Sequence, residues 1–90
     1  VRRDISLVVD AGVTAAQVEA VIRAAGGPLL EGVEVFDVYS GAPIPAGHRN
    51  LAYALRFRSP DRTLTAEEVA GAMAAIARAL EQRLQAKIRE

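Results

Sequence analysis

One segment near the middle of the chain alternates strictly between large apolar residues and smaller or charged ones. Over positions 51–58 the large apolar side chains are Leu51, Tyr53, Leu55 and Phe57, and two alanines and two arginines fill the alternate positions. Successive side chains of a β-strand point to opposite faces, so this segment predicts a strand that is buried on one face only. We therefore expect a sheet whose two faces differ in polarity.

Length and composition limit the classes of protein to which the chain can belong. Ninety residues suffice for one hydrophobic core. We expect residues 1–90 to be a single domain taken from a longer protein, because the chain begins with Val1 rather than Met and enters a strand-like run almost at once. The absence of cysteine excludes disulfides, thiolate metal sites and cysteine nucleophiles, and a single histidine excludes a multi-histidine metal site.

Charge and hydropathy limit the kinds of partner, such as nucleic acid or a membrane, that the chain can bind. Eleven basic residues balance eleven acidic ones, so any attraction of nucleic acid must come from a local patch rather than from net charge. No segment approaches the roughly 20 apolar residues that cross a bilayer. We expect a cytoplasmic protein without a membrane partner.

Two capping boxes predict where the helices begin. Thr14 is followed three residues later by Gln17, and Thr65 by Glu68. In this arrangement the side chains at a helix start satisfy backbone N–H groups that have no partner within the helix. The first helix is predicted to stop at the Gly-Gly-Pro of residues 26–28, because glycine supplies a left-handed cap and proline cannot continue the helix.

The other patterned segments predict strands. Apolar residues alternate over 5–9, β-branched and aromatic residues concentrate over 29–39 with Gly32 as a bulge site, and a weak pattern covers 86–89. Residues 59–62 predict a turn. The order β-α-β-β-α-β predicts an α+β, ferredoxin-like plait: a four-stranded antiparallel sheet with the first and third strands at its centre, two helices on one face and an open second face.

The alternation also assigns side chains to the two faces. The helix-covered face is expected to carry Ile5, Leu7, Val9, Phe36, Val38, Leu51, Tyr53, Leu55, Phe57 and Ile88. The open face is expected to carry Ser6, Val8, Val35, Asp37, Tyr39, Asn50, Ala52, Ala54, Arg56 and Lys87.

Asp37 and Tyr39 are the residues of the open face that suggest a ligand. If the second and third strands pair, Tyr39 lies near Asn50 and Asp37 near Ala52. A nucleobase can stack on a tyrosine, and a carboxylate can accept the N–H groups of a guanine edge. Phosphates could be met around the rim by Arg49, Arg56, Arg58, Lys87 and Arg89. An alternative of about equal weight is an edge-strand charge beside a surface aromatic, with no ligand.

Other candidate sites have less support. A phosphate-binding loop after the first strand needs several glycines, and only Gly12 is present. His48 has no evident acid or nucleophile partner, which favours a surface histidine over a general base. Ile44, between two prolines, is either an anchor for its loop or a contact with a partner domain.

Four segments together resemble the ferredoxin-fold anticodon-binding domain, which closes the β subunit of bacterial phenylalanyl-tRNA synthetases. They are VRRDISLVV at 1–9, VFDVYSG at 35–41, LAY at 51–53 and DRTLTAEEV at 61–69, in the order and spacing of the family. The sequence departs from the family pattern at Asn50, where a small hydroxyl residue is common, and at 85–86, where a glycine commonly precedes the last strand.

The resemblance implies that the open face binds the anticodon loop of tRNA(Phe). Asp37 and Tyr39 would engage the first anticodon base, a guanine, by hydrogen bonding and stacking, with Asn50 and Ala52 beside them. The domain itself would use no cofactor and catalyse no reaction. The parent ligase would use ATP and Mg²⁺, and its β subunit would join an α subunit in a heterotetramer of two α and two β chains.

Two other functions are compatible with this order of elements. A regulatory domain that senses a small molecule would bind it near the turn after the first strand, where Gly12 is the single supporting residue. A structural module packed between neighbouring domains would use Ile44 and the proline loop around it.

Overall fold

The computed structural model describes residues 1–59 and 61–89. The elements in chain order are β1 (Arg2–Asp10), α1 (Ala15–Gly26), β2 (Leu30–Tyr39), β3 (His48–Phe57), α2 (Ala66–Leu84) and β4 (Lys87–Arg89). The predicted β-α-β-β-α-β order is confirmed, including the weakly patterned last strand. The turn predicted at 59–62 includes Pro60, which lies outside the described residues.

All four strands belong to one antiparallel sheet in the order β2-β3-β1-β4, so β1 and β3 are central as predicted. Leu7 pairs with Leu51 and Ile5 with Tyr53, and these four side chains belong to one buried core that also contains residues of both helices. The fold is therefore the expected ferredoxin-like α+β plait, with the helices on one face of the sheet.

Both helices begin at the predicted capping boxes. The N–H of Gln17 donates to Thr14 Oγ1 at 3.1 Å, and the N–H of Thr14 donates to Gln17 Oε1 at 2.8 Å. Thr65 and Glu68 repeat the arrangement at the start of α2. The first helix ends where predicted, and Gly27 follows it with a φ of 71°, a conformation that glycine adopts without strain.

The core lies between the helices and one face of the sheet. Its buried members are Ile5, Leu7, Val9, Val18, Val21, Ile22, Val33, Leu51, Tyr53, Leu55, Phe57, Val69, Ile76, Leu80 and Ala86. The Tyr53 hydroxyl donates to the carbonyl of Ala15 at 2.9 Å. Burial, with a smaller contribution from Glu19, raises the pKa of Tyr53 to about 12. This phenol therefore stays neutral and joins β3 to the first turn of α1.

A bulge in β2 reverses the faces predicted for two neighbouring residues. Val35 pairs with Tyr53, but the next pair along the strands is Asp37 with Ala52, so Phe36 is an extra residue without a partner. The assignment of Val35 to the open face is therefore wrong, since it shares the helix-covered face with Tyr53. The assignment of Phe36 to the core is wrong as well, because its side chain is 53% exposed.

Val38 also lies outside the core, for a different reason. It lies opposite Leu51 on the expected face, yet it is 49% exposed. β2 is an edge strand, and within it only Gly32 and Val33 are buried. The helical layer thus covers the first part of β2 and leaves its second part uncovered. A further register shift between Leu30 and Gly32 makes Glu31 the extra residue of a second bulge, next to the predicted bulge residue Gly32, which pairs with Arg56.

The last strand forms although Gln85 and Ala86, rather than a glycine, precede it. Gln85 takes the left-handed conformation instead, with a φ of 50°. Strand β4 then pairs with β1, so that Arg89 lies opposite Ser6 and Lys87 opposite Val8. The departure at 85–86 therefore leaves the strand in place.

An ion pair at the start of α2 makes the free energy of unfolding depend on pH in the acid range. The Arg62 guanidinium donates two hydrogen bonds to the Glu68 carboxylate, and the Thr65 N–H donates a third. These bonds lower the pKa of Glu68 from 4.5 to about 2. A carboxyl whose pKa is lowered by folding stabilises the native state above its unfolded pKa and loses that effect as the pH falls towards the folded pKa.

We therefore expect the free energy of unfolding to fall between about pH 4.5 and pH 2 more steeply in the wild-type chain than in Glu68→Gln. Glutamine keeps the capping box, as Gln17 does in α1, but it does not titrate. Urea unfolding at several pH values measures both slopes. Glu67→Gln is the control for the loss of one negative charge, because it leaves the hydrogen bonds of Glu68 intact. Equal slopes for wild type and Glu68→Gln would contradict the prediction.

Candidate nucleic-acid interface

Two rows of side chains cross all four strands on the open face. From β2 to β4 the first row is Asp37, Ala52, Ser6 and Arg89, and the second is Tyr39, Asn50, Val8 and Lys87. The predicted pairings of Asp37 with Ala52 and of Tyr39 with Asn50 are confirmed. These eight side chains, called the two-row patch below, span three inter-strand spacings, or about 14 Å.

A hydrogen-bonded network joins the two rows. Arg89 Nη1 donates to Tyr39 Oη at 3.0 Å and lies 3.4 Å from Asn50 Oδ1. Asn50 Nδ2 donates to Ser6 Oγ at 3.0 Å. Asn50 is 1% exposed, so these bonds satisfy a buried amide, whereas Tyr39 keeps 39% of its surface exposed. The network thus holds the phenol in place and leaves much of the side chain accessible.

Asp37 differs from its neighbours because its carboxylate is unpaired. The side chain is exposed, and among residues 1–59 and 61–89 it forms no hydrogen bond or ion pair. Ala52 opposite it has no group beyond Cβ, so a flat molecule could approach the sheet closely beside the carboxylate. The site therefore offers an acceptor for N–H groups next to an aromatic ring.

The loop between β2 and β3 covers part of the open face. Ile44 is buried at 5% exposure, and it lines a groove of about 280 Å³ together with Val8, Lys87 and Arg89. Its N–H donates to the carbonyl of Gly41, which closes a tight turn. Of the two roles considered for Ile44, the loop anchor agrees with this burial.

Two of the five predicted phosphate-binding cations belong to the two-row patch, namely Lys87 and Arg89. Arg56 lies on the same face but farther along the sheet, where its guanidinium packs over Gly32.

Two further cations of that set lie elsewhere. Arg58 is beyond the end of β3 and forms an ion pair of 3.6 Å with Glu31. Arg49 pairs with Val9, which places it on the helix-covered face, and its guanidinium donates to the carbonyl of Val13. Arg49 is therefore separated from the other candidate cations by the sheet itself.

The whole described chain matches one protein family. The family model described as "Ferredoxin-fold anticodon binding domain" (FDX-ACB) matches residues 1–89. The chain belongs to this family. Among curated relatives, phenylalanine–tRNA ligase beta subunits are 53% identical over 90 residues in Moorella thermoacetica, 51% over 89 in Anaeromyxobacter dehalogenans and 47% over 89 in Bacillus subtilis. These alignments cover 99–100% of the chain but 11% of each relative, so the chain spans about one ninth of their length.

This FDX-ACB domain has features that the pattern of residues did not predict. Ser6 was placed on the open face, but its bond to Asn50 follows from the pairing of β1 with β3, which are distant in sequence. The bond from Arg89 to Tyr39 joins strands at opposite edges of the sheet. The open-face position of Phe36 depends on the bulge, for which no glycine or proline in that stretch gave a signal.

The turn after β1 is held by hydrogen bonds from its own backbone N–H groups. In the turn after β1, the N–H of Gly12 donates to Asp10 Oδ1, and the N–H of Ala11 donates to the carbonyl of Gly47. Residues 1–59 and 61–89 contain no group of three His, Asp or Glu side chains arranged to hold a metal ion. Neither helix combines the length and the apolar character needed to cross a membrane.

Proposed function

We propose that this FDX-ACB domain binds the anticodon loop of tRNA(Phe) on its open sheet face, as a non-catalytic part of a phenylalanine–tRNA ligase beta subunit. The observation that carries the proposal is the unpaired Asp37 carboxylate beside the half-exposed Tyr39 ring, above the small Ala52. Family membership and the names of the relatives support the class of partner.

In this proposal the first anticodon base, a guanine, stacks on Tyr39. The N–H groups of its Watson–Crick edge then point to Asp37, which can accept two of them. Arg89 holds the phenol and Asn50 holds Arg89, so that the ring need not be ordered when the base arrives.

The proposal assigns different roles to the five basic residues according to their distance from the base site. Lys87 and Arg89 adjoin the base site and are assigned to the nearest phosphates. Arg56 and Arg58 lie farther along the sheet and could meet a longer stretch of RNA. Arg49 is assigned a structural role, because it binds the loop between β1 and α1.

Catalysis is assigned to the rest of the parent protein. We propose that the longer beta subunit works with an alpha subunit in a cytoplasmic ligase of two α and two β chains, and that ATP and Mg²⁺ are used there. The contribution of these 90 residues is then a difference in affinity between cognate and non-cognate anticodons. A base contact of this kind contributes about 1–3 kcal/mol.

An NMR titration of the 90-residue chain with the tRNA(Phe) anticodon stem-loop tests the proposal. We expect shifts concentrated on the two-row patch. Tyr39→Leu should weaken binding about tenfold, because it removes the stacking ring. Tyr39→Phe keeps the ring and loses only the hydroxyl that Arg89 holds, so it should bind within about threefold of wild type. Shifts confined to the helices, or equal affinities for Tyr39→Leu and wild type, would contradict the proposal. A regulatory domain would instead respond to free amino acids, and a structural module to neither ligand.

A further inference from the structure

An aromatic side chain next to the two-row patch is left exposed by the bulge in β2. Phe36 is the extra residue of that bulge and is 53% exposed. Bulges redirect side chains and occur often beside functional sites. The exposed Phe36 ring beside the unpaired Asp37 carboxylate is therefore a candidate for ligand binding.

Contacts with β1 place Phe36 on the open face. The Arg2 guanidinium lies over its ring, with Cζ 5.7 Å from the ring centroid. Arg2 lies opposite Arg56 on the neighbouring strand and forms a 3.0 Å ion pair with Asp4. Asp4 is two residues before Ser6 of the two-row patch, so both are on the same face of the sheet. The Phe36 ring and the Arg2 side chain thus approach each other across the open side of β3.

We infer that Phe36 and Arg2 form a second stacking site, which takes the nucleobase adjacent in the RNA loop to the one on Tyr39. This inference rests on the proposed function and extends it from one base to two. Sheets that bind single-stranded RNA commonly stack two or three bases on exposed aromatic side chains.

The spacing supports two separate bases. Phe36 and Tyr39 are three residues apart on one strand, which corresponds to about 10 Å. This distance exceeds the width over which one base could contact both rings, and Asp37 lies between them. The same strand therefore offers two rings and one carboxylate in a line.

The Arg2 guanidinium favours RNA over an apolar protein segment at this site. A guanidinium can stack on a base as well as on phenylalanine, and it can also meet a phosphate. Arg2 is more than half exposed, so its side chain can move to let a base reach the Phe36 ring. A purely apolar partner would instead take the charged groups of Arg2 and Asp4 out of water, which costs free energy.

The test is a set of stem-loop affinities for three proteins: wild type, Phe36→Leu and Phe36→Tyr. The RNAs are the tRNA(Phe) anticodon stem-loop and versions with an abasic residue at the first anticodon position or at either neighbour. Phe36→Leu removes the ring at an exposed position but keeps an apolar side chain, and Phe36→Tyr keeps the ring.

We expect Phe36→Leu to bind the intact RNA about tenfold more weakly than wild type, and Phe36→Tyr within about threefold. One abasic neighbour should weaken wild type about tenfold and leave Phe36→Leu unchanged, because the lost base and the lost ring belong to one contact. An abasic first position should weaken both proteins to the same extent.

Three results would overturn the inference. If Phe36→Leu binds every RNA as wild type does, or is weakened equally for every RNA, no second base stacks on this ring. In either case a loss of affinity in Tyr39→Leu keeps the proposed function intact. If the wild-type chain binds no stem-loop at millimolar RNA by NMR, the proposed function fails together with the inference.

Discussion

Replacing Asp37 by asparagine should reduce the preference for guanine over adenine at the first anticodon position by about tenfold to a hundredfold. A carboxylate only accepts hydrogen bonds, and guanine offers two donors on its Watson–Crick edge, whereas adenine offers one donor and one acceptor. The amide of asparagine carries both an acceptor and donors, so it suits adenine at least as well. The affinities of two stem-loops that differ in this base, measured for both proteins, give the preference.

The control for Asp37→Asn is Glu34→Gln. Glu34 is an exposed carboxylate on β2, and it pairs with Ala54 on the same face. Both substitutions remove one negative charge, so both should raise affinity for any RNA to a similar and small extent. Only Asp37→Asn should change the preference between the two bases. A preference that survives in Asp37→Asn would show that the carboxylate does not recognise the base.

Leu51→Ala should lower the free energy of unfolding by about 2–5 kcal/mol. Leu51 is fully buried at the centre of the sheet, between Leu7 of β1 and Val38 of β2. Truncation removes apolar contacts and leaves a cavity that a closely packed core fills only in part. Small domains are stable by about 5–15 kcal/mol in total, so this loss is a large share.

Val38→Ala is the matched control for Leu51→Ala. The two residues are directly opposite each other on the same face, but Val38 is about half exposed. Its truncation should cost less than about 1 kcal/mol, since less apolar surface returns to water. Urea unfolding followed by circular dichroism measures both variants. Similar losses for the two would mean that the helical layer covers β2 as fully as β3.

The elements of the fold follow from local signals in the sequence. Thr14 with Gln17, and Thr65 with Glu68, mark helix starts through contacts within one turn, and the alternation over 51–58 marks the most buried strand. These signals need no knowledge of distant residues. The alternation over 5–9 fixes the faces of β1, as that over 51–58 fixes those of β3, and these two strands form the floor of the candidate site.

Two errors in the predicted faces have a common cause. A period of two assumes an unbroken strand. One inserted residue reverses the face assigned to every residue on the other side of the insertion. Phe36 is such an insertion, and the bulge is visible only once β2 is paired with β3. Arg49 differs, because the alternation continued back from Leu51 already places it on the helix-covered face.

The interactions within the candidate site could not be predicted from the sequence. Arg89 and Tyr39 are 50 residues apart, and their bond requires the order β2-β3-β1-β4 and side chains long enough to cross two strands. Weak local patterning of a three-residue strand gives no indication that its last residue reaches the opposite edge.

The bond from Arg89 to Tyr39 makes one edge of the sheet depend on the strand at the other edge. The three residues of β4 are held by pairing with a single neighbouring strand, so this is the part of the sheet most easily detached. Its detachment would deprive the phenol on the far edge of its donor while the remaining three strands stayed folded. Detachment of β4 would therefore loosen the two-row patch without unfolding the rest of the sheet.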